Sequence, residues 1–99
     1  MADHHIESIL RRPSVEVASG LSRSSIYLRI TQGLFTRPVS LGPRAVGWPA
    51  GEVAALNAAR IAGKSEDEIR ALVARLHTQR GASHAEPPEG PVTTSQRLV

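Results

Sequence analysis

The residues best suited to chemistry lie between Ser22 and Arg44. Ser22, Arg23, Ser24, Ser25, Tyr27, Leu28 and Arg29 share one short run, and Arg37 and Arg44 follow it. A guanidinium presents a planar fork of donors that matches guanine O6 and N7, while a hydroxyl serves as donor or acceptor. Such a set is equipped for hydrogen-bonding recognition of a polyanion, not for making or breaking bonds. On a helix, Arg23, Ser24, Tyr27, Leu28 and Thr31 would form the first turn and one outward stripe, with Ile26 and Ile30 turned to the core. A Ser-rich first turn also offers free backbone N–H groups to a phosphate, and Tyr27 can meet a phosphate through its hydroxyl or a thymine methyl through its ring.

Enzyme chemistry finds little to work with. Of the four histidines, His4 and His5 are adjacent near the start, His77 sits in a helical stretch and His84 in the polar C-terminal part. No third ligand stands at a structural-site spacing, so no metal is expected. Glu66-Asp67-Glu68 reads as negative charge favouring a helix N-terminus. No glycine spacing forms a phosphate-cradling loop. Cysteine is absent, which excludes disulfides and thiolate sites and fits a reducing compartment. The expectation is a protein without cofactor, metal or small-molecule ligand.

Charge is unevenly placed. Between Ser8 and Trp48 six arginines face Glu16 alone, a net +5 in a chain whose total is +3. A basic N-terminal half on a near-neutral remainder is the electrostatic footprint of a nucleic-acid reader.

The elements that must position these residues follow from local signals. At 99 residues the chain supports one small domain. Met1–Ser8 is polar and expected to fray, and Ile9 and Leu10 open an extended anchor. Pro13 suits a first helical turn, with Val15, Val17, Ala18 and Leu21 as the expected apolar side. Gly20 stops that helix and turns the chain. Ser22 is the natural N-cap of a helix over Arg23–Gln32, and Gly33 ends it. Pro38, Gly42, Pro43 and Gly47 then forbid helix. Val39–Leu41 and Ala45–Trp48 are expected to pair as a two-stranded hairpin around Gly42-Pro43-Arg44, stapled to the helices by Phe35 and Trp48. A third helix over Glu52–Ala62 turns Val53, Leu56 and Ala59 inward. Ser65 and Glu68 form a capping box for a last helix reaching about Arg80. Its stripe of Ile69, Leu72, Val73 and Leu76 either covers the domain's own core or pairs with a second copy in a homodimer. Gly81–Val99 is rich in Pro, Gly, Ser, Thr and Glu and is expected to be disordered.

The fold class expected is mainly α with a small β-hairpin wing. Residues 9–62 would be a winged helix-turn-helix and residues 63–80 a C-terminal helix, followed by the tail. No apolar run approaches the roughly 18 residues that would span a membrane, and the start lacks the layout of a secretory leader. A cytoplasmic protein, on the nucleoid when bound to DNA, is the expectation.

The run GLSRSSIYLRITQGLFTRPVSLGPRAVGW resembles the AlpA family of prophage regulatory proteins, small winged helix-turn-helix proteins similar in shape to excisionases and MerR DNA-binding domains. The resemblance covers about Ile9–Ile61, and GLSRSSIY, FTRPV and LGPRAVGW are its most specific pieces. It implies sequence-specific binding of double-stranded DNA and control of prophage or integrative-element genes such as an integrase. An excisionase-like DNA-bending factor and an antitoxin-like interaction module using the last helix are the alternatives. One departure stands out. The family often carries Arg and then a large apolar residue after the Tyr, whereas this chain has Leu28 and then Arg29, so either of the two can be the one that faces DNA.

Overall fold

Pro13 decides where the first helix begins. The computed structural model describes residues 6–84, and in it Pro13 lies in the first turn of α1, Arg12–Ser19, where its missing N–H breaks no intrahelical bond. Arg12 and Glu16 pair along the helix at 3.0 Å. The buried face is Val15 and Ser19; of the expected Val15, Val17, Ala18 and Leu21, Val15 is in the core and Leu21 packs against it, while Val17 and Ala18 do not. Val17 is 86% exposed, because it lies about half a turn round from Val15 in a helix of 3.6 residues per turn. Ala18 is exposed as well. The last carbonyls of α1 are met from a distant part of the chain: Asn57 Nδ2 donates to Ala18 O at 2.9 Å and Arg60 Nη1 to Ser19 O at 3.1 Å.

The corner after α1 depends on Gly20. It has φ +74° and its N–H donates back to Glu16 O at 2.9 Å. A Cβ added there would meet nothing within 4 Å, so Gly20→Ala is charged only for its left-handed backbone. The expected loss is about 1–2 kcal/mol, read as a lower denaturant midpoint with an unchanged slope. Ser22 then caps α2, Arg23–Thr31, its hydroxyl accepting from Ser25 N–H at 3.2 Å. Ile26 is fully buried and Ile30 packs at the edge of the core. Leu34 N–H donates to Arg29 O at 2.8 Å and Gly33 N–H to Ile30 O at 3.1 Å, the paired bonds of a Schellman ending.

The sheet has three strands where a two-stranded hairpin was expected. Ile9–Arg11 forms β1, Val39–Gly42 forms β2 and Ala45–Pro49 forms β3, antiparallel in the order β1-β3-β2. Leu10 faces Trp48 and Arg11 faces Gly47 across one side, while Val39 faces Gly47 across the other. The added strand supplies what a lone hairpin lacks, since two strands are marginal in water. Gly47 sits where the three strands crowd. A Cβ there would come within 2.6 Å of Ile9 Cγ2 and 3.0 Å of both Leu10 O and Leu41 Cδ1.

Of Met1–Ser8, expected to fray, residues 1–5 lie outside the described ones, and Glu7 and Ser8 are held in place. They meet the first turn of α3, Ala50–Ile61, with Ser8 O accepting from Ala50 N–H at 2.7 Å and Glu7 Oε2 from Gly51 N–H at 2.8 Å. Pro49, at the N-cap, has no side-chain donor or acceptor to offer, so the Glu7 carboxylate serves the helix end, where negative charge is favourable. After α3, the expected capping box opens α4, Glu66–His84. Ser65 N–H donates to Glu68 Oε1 at 2.8 Å and Glu68 N–H to Ser65 Oγ at 3.2 Å. Those bonds hold the Glu68 carboxyl below the usual carboxylate range, with Lys64 adding to the effect.

Helix α4 passes the expected end at Arg80, so Gly81–His84 is helical instead of the start of a disordered tail; residues 85–99 lie outside the described ones. Ile69 and Val73 are buried in the domain's own core with Val15, Ile26, Leu34, Phe35, Trp48, Val53 and Leu56, and Leu72 and Leu76 pack against its edge. Of the stripe Ile69, Leu72, Val73 and Leu76, the first and third are thus buried within one chain, while Leu72 and Leu76 stay partly covered at its edge.

Candidate nucleic-acid interface

Burying Ile26 sets the rest of α2. Arg23 and Ser24 stand exposed on its first turn, Leu28 is 57% exposed and Tyr27 37%. The serines divide the work. Ser22 and Ser25 are occupied with the cap, their hydroxyls 3.0 Å apart, while the Ser24 hydroxyl has no partner among the described residues. Tyr27 has two duties: its ring meets Trp48 edge-on at 6.3 Å between centroids and 65°, and the remainder reaches solvent. Thr31, also exposed, turns its hydroxyl back to Leu28 O at 2.6 Å. Of the Leu28–Arg29 pair, Leu28 points outward and Arg29 is partly covered.

The charge at the start of α2 runs against its own stability, although Arg29 suits its last turn. A helix N-terminus favours negative charge. Helix α4 obeys this with Glu66, Asp67 and Glu68 in its first turn, whereas α2 has no acid there and begins with Arg23. Among the described residues no carboxylate pairs with Arg23, Arg29, Arg37 or Arg44; the ion pairs engage Arg12, Arg70 and Arg80. Arg44 is exposed at the Pro43-Arg44 turn between β2 and β3. Among the described residues these cations have no neutralising partner, and Arg23, Arg37 and Arg44 are exposed to an external anion.

The domain that carries this surface has a match. Residues 8–60 fit the model of the family described as Prophage CP4-57 regulatory protein (AlpA). The chain belongs to the AlpA family. That family is a regulatory one in a prophage setting. A relative, the "Uncharacterized protein ORF88" of Enterobacteria phage P4, is 50% identical over 58 residues, which is 59% of this chain and 66% of the phage protein. The match therefore spans just under two thirds of that relative's length. No solved structure matches.

In this AlpA-family protein the match runs from β1 through most of α3 and stops before α4. Yet α4 reaches back to the wing. The Arg37 N–H donates to His77 Nε2 at 3.1 Å, and Arg37 O accepts from Arg80 Nη2 at 2.6 Å. Arg80 also forks onto Glu52, Nε to Oε2 and Nη2 to Oε1, both at 2.7 Å, and the Glu52 side chain is only 8% exposed. Burial, then the nearby Arg37 and Arg80 cations, push the His77 pKa down, with Glu52 opposing. None of these contacts was expected. They join residues 28 to 43 positions apart, beyond any local pattern, and the one hint was an acid, Glu52, at the start of an apolar Ala-rich helix.

Among the described residues no group of three His, Asp or Glu side chains is placed to hold a metal ion. No described helix is long and apolar enough to cross a membrane.

Proposed function

We propose that this AlpA-family protein binds double-stranded DNA sequence-specifically and so controls transcription of prophage or integrative-element genes. One observation carries the reading: an exposed stripe of Arg23, Ser24, Tyr27 and Leu28 on α2 and an exposed Arg44 at the hairpin tip, with no ion pair to Arg23 or Arg44 among the described residues. A B-DNA major groove about 12 Å wide admits such a helix. Helix α2 enters by its first turn, where Arg23 reads a guanine and Ser24 a base edge or phosphate. Tyr27 and Leu28 then face the groove wall or a thymine methyl. Arg44 at the tip and Arg37 at the wing root meet phosphates, and Arg29 reaches the backbone from the edge of α2. Ser22 and Ser25 hold the helix start in place.

Selection of bound duplexes from a random pool, followed by affinity measurement across salt concentrations, tests this. Each phosphate contact contributes about −0.9 to the slope of log K against log salt. Arg44→Ala is expected to flatten that slope by about 1 and to weaken all duplexes alike. Absent or salt-insensitive binding to every duplex overturns the reading.

A further inference from the structure

The geometry points to α4 as a positioning element for the DNA-reading surface: His77 and Arg80 fix the main chain of Arg37 and so set where the wing sits against α2. This rests on the DNA-binding reading above. The wing enters the domain at Arg37–Val39 and leaves it at Pro49–Glu52, where β3 runs directly into α3. Arg80 touches both ends, donating to both oxygens of the Glu52 carboxylate and to Arg37 O. A fork–fork pair of this kind fixes a guanidinium in direction as well as position.

Arg37 is where that fixing matters. Phe35 and Thr36 before it are buried at 1% and 0% exposure, and Pro38 after it favours an extended backbone at Arg37. Arg37 is therefore the residue at which the chain emerges from the core, and α4 holds both of its main-chain polar groups. Its exposed side chain starts from a backbone held at both polar groups.

The arrangement is sensitive to protonation. His77 Nε2 accepts from Arg37 N–H, which requires a neutral ring. The charged groups around it are Arg37 from the wing root, Arg80 and Arg70 from α4, and Glu52 from α3. Glu52 is already committed to Arg80. Acidification therefore puts an N–H against an N–H and adds a cation beside two guanidiniums, releasing the wing root. Because the folded protein holds this histidine below its ordinary pKa, the contact is intact at neutral pH and is lost as pH falls through the folded value. A bare charge effect has the opposite sign, since a new cation near DNA tightens binding.

The test compares full-length wild type, His77→Gln and Arg80→Ala on one selected duplex, by fluorescence anisotropy at fixed ionic strength near pH 7.5 and near pH 4.5, about two units under the ordinary histidine value. Arg37 amide exchange, relative to its intrinsic rate, is followed without DNA. Wild type is expected to bind about fivefold more weakly at the lower pH, the worth of one hydrogen bond, and to lose Arg37 protection alongside. His77→Gln, whose amide oxygen accepts without titrating, is expected to change by less than about twofold. Arg80→Ala is expected to bind more weakly at both pH values. Wild-type binding that is unchanged or tighter in acid, or a His77→Gln profile that follows wild type, overturns the positioning role while leaving DNA binding intact. No binding to any duplex at neutral pH overturns the functional reading, and this inference falls with it.

Discussion

Replacing Trp48 with alanine is expected to remove about half or more of the domain's stability. Trp48 has no exposed surface and is the largest fully buried side chain. Phe35 and Tyr27 both approach its ring edge-on with centroids 6.3 Å away, and its indole N–H donates to Thr36 O at 2.8 Å. Truncation removes the ring that joins sheet, α2 and the Leu34–Thr36 link. It also strips the Thr36 carbonyl of its donor, beside a Thr36 hydroxyl that has no partner among the described residues. Losing a buried Trp costs about 3–5 kcal/mol, against a total of roughly 5–10 kcal/mol for a domain of this size. Thermal and urea unfolding followed by circular dichroism checks this. Trp48→Phe keeps much of the packing and loses the hydrogen bond, so its midpoint should fall between the two. A Trp48→Ala protein melting within a few degrees of wild type would remove the ring from its central place.

What the sequence made legible was what local chemistry decides. Ser22 as a cap, Gly20 and Gly33 as stops, and the Pro43-Arg44 reversal each rest on residues within a few positions of one another. They suffice to place α2 and the β2–β3 hairpin, and with Ile26 facing inward the outward stripe of α2 follows. The misses share a cause. Strand β1 is three residues long and its partners are about 40 positions away, so no periodicity reports it. The buried face of α1 was misassigned because a two-turn helix with three small apolar residues offers two plausible faces. The choice fell to Ser19, whose hydroxyl accepts from Leu21 N–H at 3.2 Å in the corner. The stripe on α4 was legible as apolar but not in its destination, which depended on how much core α3 and the sheet left uncovered. The Glu52–Arg80–Arg37 link was invisible for the same reason as β1, and it joins the wing to a helix outside the family match.

Arg23→Ala is expected to lower affinity for the selected site by about 1–3 kcal/mol, roughly five- to 150-fold, and to flatten discrimination at one base pair. The structural cost of the change is close to nil. Arg23 is the first residue of α2, exposed and without an ion pair, and the cap comes from Ser22. Alanine is the better helix former, and removing a cation from a helix N-terminus relieves an unfavourable interaction worth about 0.3–1 kcal/mol. Stability and binding should therefore move in opposite directions, which separates a reading residue from a structural one. Arg44→Ala offers the internal comparison, since a phosphate contact weakens all sequences evenly and leaves the preference intact. The experiment is a set of affinities on the selected duplex and its single base-pair variants, with unfolding midpoints for each protein. An Arg23→Ala variant that keeps its footprint and its preference would place another face of the domain in the groove. An arginine at this helix start would then have no purpose visible in the fold, because the helix it begins is more stable without it.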